Sequence, residues 1–163
     1  MTKKSKRIRF GRLPPKYHFA LNPYPEFRST RCSNCQNKTG QRKLPLIIRV
    51  DPWHLIALNY TNRYCNRCDL LIAHQHEIEH YLAEMFLQRK PEVIGNSYLI
   101  FGTVDKKVWR EQIEEPKPPE EIRQYVHDFK SYQTIRMSMR GWFREGEQPP
   151  EMEPPPSAEW VKK

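Results

Sequence analysis

Two stretches, RCSNCQ at residues 31–36 and RYCNRCD at 63–69, decide how this chain folds. Each holds Cys-x-x-Cys, and together they account for all four cysteines, Cys32, Cys35, Cys65 and Cys68. Two such turns can bring four thiolates to the corners of a tetrahedron, the arrangement Zn2+ adopts with sulfur at about 2.3 Å. The 29 residues between the motifs are too many for a compact finger. They suit a ribbon, in which a two-stranded hairpin fills the gap. LPLIIRV (44–50) and HLIALNY (54–60) are short β-rich runs separated by DPW, so the spacer holds the two strands such a ribbon needs. Disulfides are the competing use of paired cysteines, but no secretory signal is evident, and oxidised pairs are rare in reducing compartments. One structural Zn2+ per chain is the expectation, with Cys32, Cys35, Cys65 and Cys68 as its ligands. A four-sulfur site is closed, so it holds structure and does not activate water. Arg31, Arg63 and Arg67 stand beside the knuckles and can offset the charge of about −2 that four thiolates leave on one zinc.

From Cys32 to Cys68 the chain resembles a zinc ribbon. It is more particularly similar to the zinc-binding N-terminal domain of bacterial type II antitoxins. In those, two Cys-x-x-Cys knuckles flank a strand-rich spacer and a helix follows the second knuckle. The resemblance covers about a third of the chain and implies the zinc-ligand role of the four cysteines. The helix-turn-helix domain usual in that family is not evident in residues 90–143, so the antitoxin function is not carried over.

Outward from the knuckles, 163 residues suffice for one domain of ordinary size. Residues 1–16 read as a disordered basic arm, with Gly11 and Pro14-Pro15 opposing regular structure. Residues 17–143 form the zinc-ribbon-containing α+β domain, and 144–163 a proline-rich acidic tail. Within the domain, 17–31 read as an extended aromatic segment lying on the core. QHEIEHYLAEMFLQR (75–89) places Ile78, Tyr81, Leu82, Met85 and Phe86 at helical spacing. YLIFGTV (98–104) reads as a strand that DKK turns back into VWREQI. PPEEIRQYVHDFK (118–130) has the proline start, acidic first turn and terminal lysine of a second helix, with Ile122, Tyr125, Val126 and Phe129 as its stripe. The expected fold is thus a small α+β domain: a zinc ribbon, an amphipathic helix, a further strand pair and a second helix. Trp53, Trp109 and Trp142 are candidates for the core or for interface anchors, with the core placed first.

The first helix also contains HEIEH (76–80), the short string of a zinc peptidase. There His76 and His80 would hold a catalytic zinc, with Glu77 as general base. Against this, the second x position is the charged Glu79. The apolar stripe points away from the two histidines, and no motif supplies a third ligand. A solvated helix face is the expectation. A second metal site on His74, His76 and His80 and a zinc metalloenzyme are kept as alternatives.

Charge points to a partner. Residues 1–50 carry thirteen Lys/Arg and one acid, Glu26, for +12, while residues 51–163 sum to −3. Lys3, Lys4, Lys6, Arg7, Arg9, Arg12 and Lys16 of the arm are candidate phosphate contacts, with Phe10, Tyr17 and Phe19 near enough to stack on bases. RNA is placed ahead of DNA because no recognition-helix pattern appears. No run approaches the roughly 18 apolar residues of a membrane span. The N-terminus is basic and acid-poor like an organelle-targeting peptide, but has little serine and no clear amphipathic helix. The expectation is a cytoplasmic, non-catalytic zinc-binding module that engages nucleic acid, with a larger ribonucleoprotein or regulatory complex as its setting. The alternative is a protein-interaction adaptor or antitoxin-like regulator. Glycine-rich phosphate loops and Gly-x-Ser-x-Gly elbows are absent.

Overall fold

A computed structural model of the protein describes residues 10–52, 54–110, 119–137 and 151–161. Its elements are β1 (His18–Asn22), β2 (Gly40–Val50), β3 (His54–Cys65), β4 (Leu70–His74), α1 (Gln75–Leu87), β5 (Tyr98–Val104), α2 (Lys106–Val108), α3 (Pro119–Arg123), β6 (Val126–Asp128) and β7 (Ser131–Thr134). The strands form one curled sheet in the order β6-β5-β2-β3-β4-β1-β7. It is a small mixed α+β fold, rich in strand.

The central device is the β2–β3 hairpin, antiparallel from Gly40↔Tyr64 to Val50↔His54. β-branched and aromatic residues favour these strands. They run longer than the apolar runs alone suggest, because the polar halves, residues 40–43 and 61–64, pair as well. Alternation sorts the side chains onto two faces. Leu46, Ile48 and Val50 join Phe19, Leu71, Ile78, Leu82 and Ile100 in the main core, between the sheet and α1. Ile47 points the other way, to Val104, Ile122 and Val126. β4 is buried along its whole length because both its faces are covered. Leu71 and Ala73 enter the main core, while Leu70 and Ile72 pack with Cys32 and Cys65. Each fully buried Leu, Ile or Phe contributes about 1.5–3 kcal/mol.

Residues 118–130 do not make one helix: α3 ends at Arg123, and Val126–Asp128 is a strand paired with β5 through Gly102↔Asp128 and Val104↔Val126. Ile122, Val126 and Phe129 are buried as the stripe foresaw, but in a helix-to-strand passage. The pairing overrides helical propensity, and two glycines permit it. A Cβ on Gly11 would collide with the Val126 carbonyl, and one on Gly102 with that of His127. On α1, Tyr81 and Met85 are 42% and 39% exposed and leave the core to Ile78, Leu82 and Phe86. Glu79, the charged x position of HEIEH, is buried beside them at 4% exposure. β5 does not turn back at DKK but passes into the short α2, which takes Val108 of the expected return strand VWREQI (108–113), and residues 111–113 of that run lie outside the described residues.

Both ends of the described chain lie on the domain. In the arm, Gly11 N–H donates to Asp128 and Arg12 N–H to the Arg123 carbonyl, and Leu13 bridges His127 in parallel. At the other end, Glu151 and Met152 lie against Arg136, Met137 and Tyr24, and residues 155–160 reach α1 and bury Trp160 against Phe86 and Tyr98. Trp109 is half-buried, whereas Trp53 and Trp142 lie outside the described residues. Among the described residues, no helix is long and apolar enough to cross a membrane.

Candidate functional site

The first knuckle sits in the irregular stretch before β2, and the second is the tip between β3 and β4. The hairpin register carries Cys65 back to the start of β2, so motifs 30 residues apart in sequence meet. Each knuckle turns through a left-handed residue just after its second cysteine: Gln36 at φ 65° and Asp69 at φ 54°. Asn34 N–H donates to Cys32 Sγ at 3.4 Å, and Gln36 N–H to the Cys32 carbonyl at 2.9 Å.

The four sulfurs all lie within 4.8 Å of one another. Cys35 and Cys65 are 3.5 Å apart, and Cys32 and Cys68 3.9 Å. A tetrahedron with metal–sulfur bonds of 2.3 Å has edges of about 3.8 Å, close to those two separations, so the cluster could hold one ion. The four thiols are free, with Cys32 and Cys65 buried. Burial raises the Cys32 thiol. The Asn37 backbone N–H draws Cys35 down to about 7. Its bond to Cys35 and burial push Cys68 up to about 12. Clustered sulfurs without a cation therefore share protons, whereas a divalent cation would let all four ionise. Among the described residues this is the only group of three or more His, Cys, Asp or Glu side chains able to share a metal.

The HEIEH residues diverge. His76 Nε2 donates to the Pro155 carbonyl at 2.9 Å, and His80 Nδ1 to Glu159 at 2.6 Å. Glu77 turns the other way, accepting from the Tyr60 hydroxyl at 2.5 Å and from Arg28 at 2.9 Å. His74 is buried under α1, with Nδ1 3.7 Å from Glu77. His74, His76 and His80 thus do not converge. The helix face read as solvated is where residues 155–159 dock.

Sequence reasoning missed a cleft of about 450 Å³ beside the cysteines. β3 pairs with β4 only at Arg63, Tyr64 and Cys65, and the sheet opens beyond them. There the His74 N–H donates to the Tyr60 hydroxyl at 3.2 Å instead of to a strand. The opening is lined by Arg28, Lys43, Asn59, Arg63, Glu77 and Tyr81, among others. Burial alone would raise the Glu77 carboxyl, but the bonds from Tyr60 and Arg28 outweigh it and hold the group below the ordinary glutamate value. Burial, helped by the nearby Arg28 charge, lowers His74 and keeps it neutral. Asn59 Oδ1 is buried without a hydrogen-bond partner.

The four-cysteine cluster and the cleft share a frame. Arg63 donates through Nε to Thr39 Oγ1 at 3.0 Å and through Nη2 to the Thr39 carbonyl at 2.7 Å. Thr39 Oγ1 in turn donates to the Ser29 carbonyl at 2.6 Å. Arg28, Ser29 and Thr30 thus lie on the strand-free segment that Cys32 and Cys35 anchor. The wider surface is basic, since residues 27–68 carry eight Lys/Arg and one acid, Asp51.

The arm residues fare differently. Arg12 pairs with Glu120 at 3.7 Å and Lys16 with Asp105 at 3.6 Å. Lys3, Lys4, Lys6, Arg7 and Arg9 lie outside the described residues. The charge count over 27–68 was available in the sequence, but nothing in it showed that the sheet would open beside Arg63. Compared with known proteins, the chain matches no family model, no curated protein and no solved structure, so its chemistry is read from its own residues.

Proposed function

We propose that the protein is a non-catalytic module whose four cysteines hold one structural Zn2+ in a ribbon-like arrangement and whose basic hairpin engages nucleic acid. Zinc is the metal of choice for four thiolates at tetrahedral spacing, and such a site leaves no position for substrate. The observation that carries the binding reading is the charge of the hairpin and knuckles. Arg28, Arg31, Lys38, Arg42, Lys43 and Arg67 are exposed there, while the single acid of residues 27–68, Asp51, lies at the far turn of the hairpin. Phosphate backbones bind such surfaces by releasing counterions. RNA is favoured over duplex DNA because α1, the longest helix among the described residues, carries no Lys or Arg to place in a major groove.

The test is titration of labelled RNA and DNA at two salt concentrations, with metal content measured on the same preparation. One zinc per chain, and an affinity that falls steeply with salt, are expected. Absence of binding at low salt removes the reading. Exposed Leu87 and Met85 on α1 favour the second reading, a protein-interaction adaptor. A stoichiometric protein partner on a preparation free of nucleic acid would replace the first reading with it.

A further inference from the structure

We infer that the cleft between β3 and the start of α1 is a pocket for one unpaired nucleotide of a single strand, its phosphate held by Arg28, Lys43 and Arg63 and its base set against Tyr81. This rests on the nucleic-acid reading above and specifies which form of nucleic acid the site takes. Four observations carry it.

The first is charge. The cleft is lined by three permanent cations and one carboxylate, Glu77, which is already engaged by Arg28 and Tyr60. With His74 neutral, the lining keeps an excess of two positive charges for an anion. A guanidinium matches phosphate oxygens in a planar, two-pronged fashion, and a lysine adds a mobile point charge.

The second is size. At about 450 Å³ the cleft lies within the range of roughly 300–1,000 Å³ typical of small-ligand pockets. It can admit a nucleotide turned out of a strand. A base pair inside a duplex presents only its groove edges and does not place a base in such a cleft.

The third is a stacking surface. Tyr81 is 42% exposed at the rim of the cleft although it lies on an otherwise amphipathic helix. Its ring is steadied by edge contacts with Tyr60 at 6.2 Å and His80 at 5.7 Å. Aromatic side chains placed beside a basic groove are the usual platform for unpaired bases.

The fourth is an orphaned acceptor. Asn59 Oδ1 is buried and has no hydrogen-bond partner, an arrangement that costs stability unless something supplies a donor. Gln41 and Thr61 line the same cleft. Together they offer the mixed donors and acceptors that read a base edge.

The experiment is fluorescence anisotropy with a labelled 12-nucleotide single-stranded RNA and the same sequence as a duplex, at low salt, on the zinc-loaded full chain. Tyr81→Ala, Tyr81→Trp and Lys43→Gln are compared with the parent, since both positions are exposed and each variant's fold is checked by its melting curve. Single strand is expected to bind at least about tenfold tighter than duplex. Tyr81→Ala should weaken single-strand binding about tenfold while Tyr81→Trp keeps it. Lys43→Gln should lower the salt slope by about one. Single-strand binding that Tyr81→Ala and Lys43→Gln leave unchanged, or equal affinity for duplex, overturns the pocket while the nucleic-acid reading stands. No binding of either form overturns both.

Discussion

The Tyr60 hydroxyl donates to Glu77 Oε1 at 2.5 Å, across the gap where β3 and β4 part. That bond joins the middle of the hairpin to the first turn of α1, where a carboxylate also suits the helix dipole. It turns the first glutamate of HEIEH away from its histidines. Tyr60 is buried, and burial together with this bond keeps its hydroxyl protonated far into alkali. Glu77→Ala would leave that hydroxyl without its acceptor and is expected to cost about 1–3 kcal/mol in chemical denaturation. Metal analysis of Glu77→Ala and of a His76→Ala/His80→Ala double variant should still find one zinc per chain. A loss of zinc from the double variant would restore the peptidase-like reading.

Metal removal should unfold the knuckles and the cleft together. Metal binding in small zinc modules is worth on the order of 10 kcal/mol at neutral pH. A strong chelator, or Cys32→Ser, is therefore expected to lower the melting temperature sharply and to abolish nucleic-acid binding. Arg28 and Thr30 ride on the segment that carries Cys32 and Cys35, so an ion held by the four cysteines would fix their placement. Retention of both stability and binding after complete zinc removal would contradict this.

Glu79→Gln should stabilise the protein at neutral pH. Glu79 Oε1 accepts from Gln75 at 3.1 Å, but Oε2 is buried without a partner. Burial raises its carboxyl above the ordinary 4.5. A group with a raised folded value binds more protons in the folded chain, so its penalty is absent below about pH 4.5 and grows as pH rises through the folded value. Melting curves at pH 4 and pH 7.5 should show little gain for Glu79→Gln at the lower pH and a clear gain at the higher.

The C-terminal segment should be held more firmly in mild acid. The hydrogen bond to Glu159 is the main cause that raises His80 above 6.5, with Glu84 3.2 Å from its other nitrogen. The contribution of that contact is complete below pH 6.5 and is lost as pH rises through the folded value. Limited proteolysis within residues 151–161 should therefore be slower at pH 6 than at pH 8.5, and Glu159→Gln should flatten the difference. His74 acts in the opposite sense. Burial lowers it, so the stability it contributes is present above pH 6.5 and is lost as pH falls below that value. Melting of the whole domain, as distinct from release of the segment, should therefore weaken in acid.

What the sequence determined by itself was the four-cysteine cluster and the hairpin that spans it. Ligand type and short spacing dictate a Cys-x-x-Cys turn locally, and the β-rich spacer between Cys35 and Cys65 has one short way to bring two such turns together. Ile78, Leu82 and Phe86 likewise announced α1, because helical periodicity is a local signal. Tertiary structure alone decided three other features. Residues 126–128 became a strand because β5 and the arm offered partners on either side, with Gly11 and Gly102 allowing the approach. Glu79 was buried and Tyr81 exposed because the curled sheet and the returning Trp160 set which sector of α1 is covered. The basic cleft gathers Arg28, Lys43, Asn59, Arg63 and Glu77 from four parts of the chain. It exists only because β3 and β4 stop pairing after three residues. Contacts between residues so far apart leave no periodicity to read in a single sequence, and they depend on where the sheet runs out of partners.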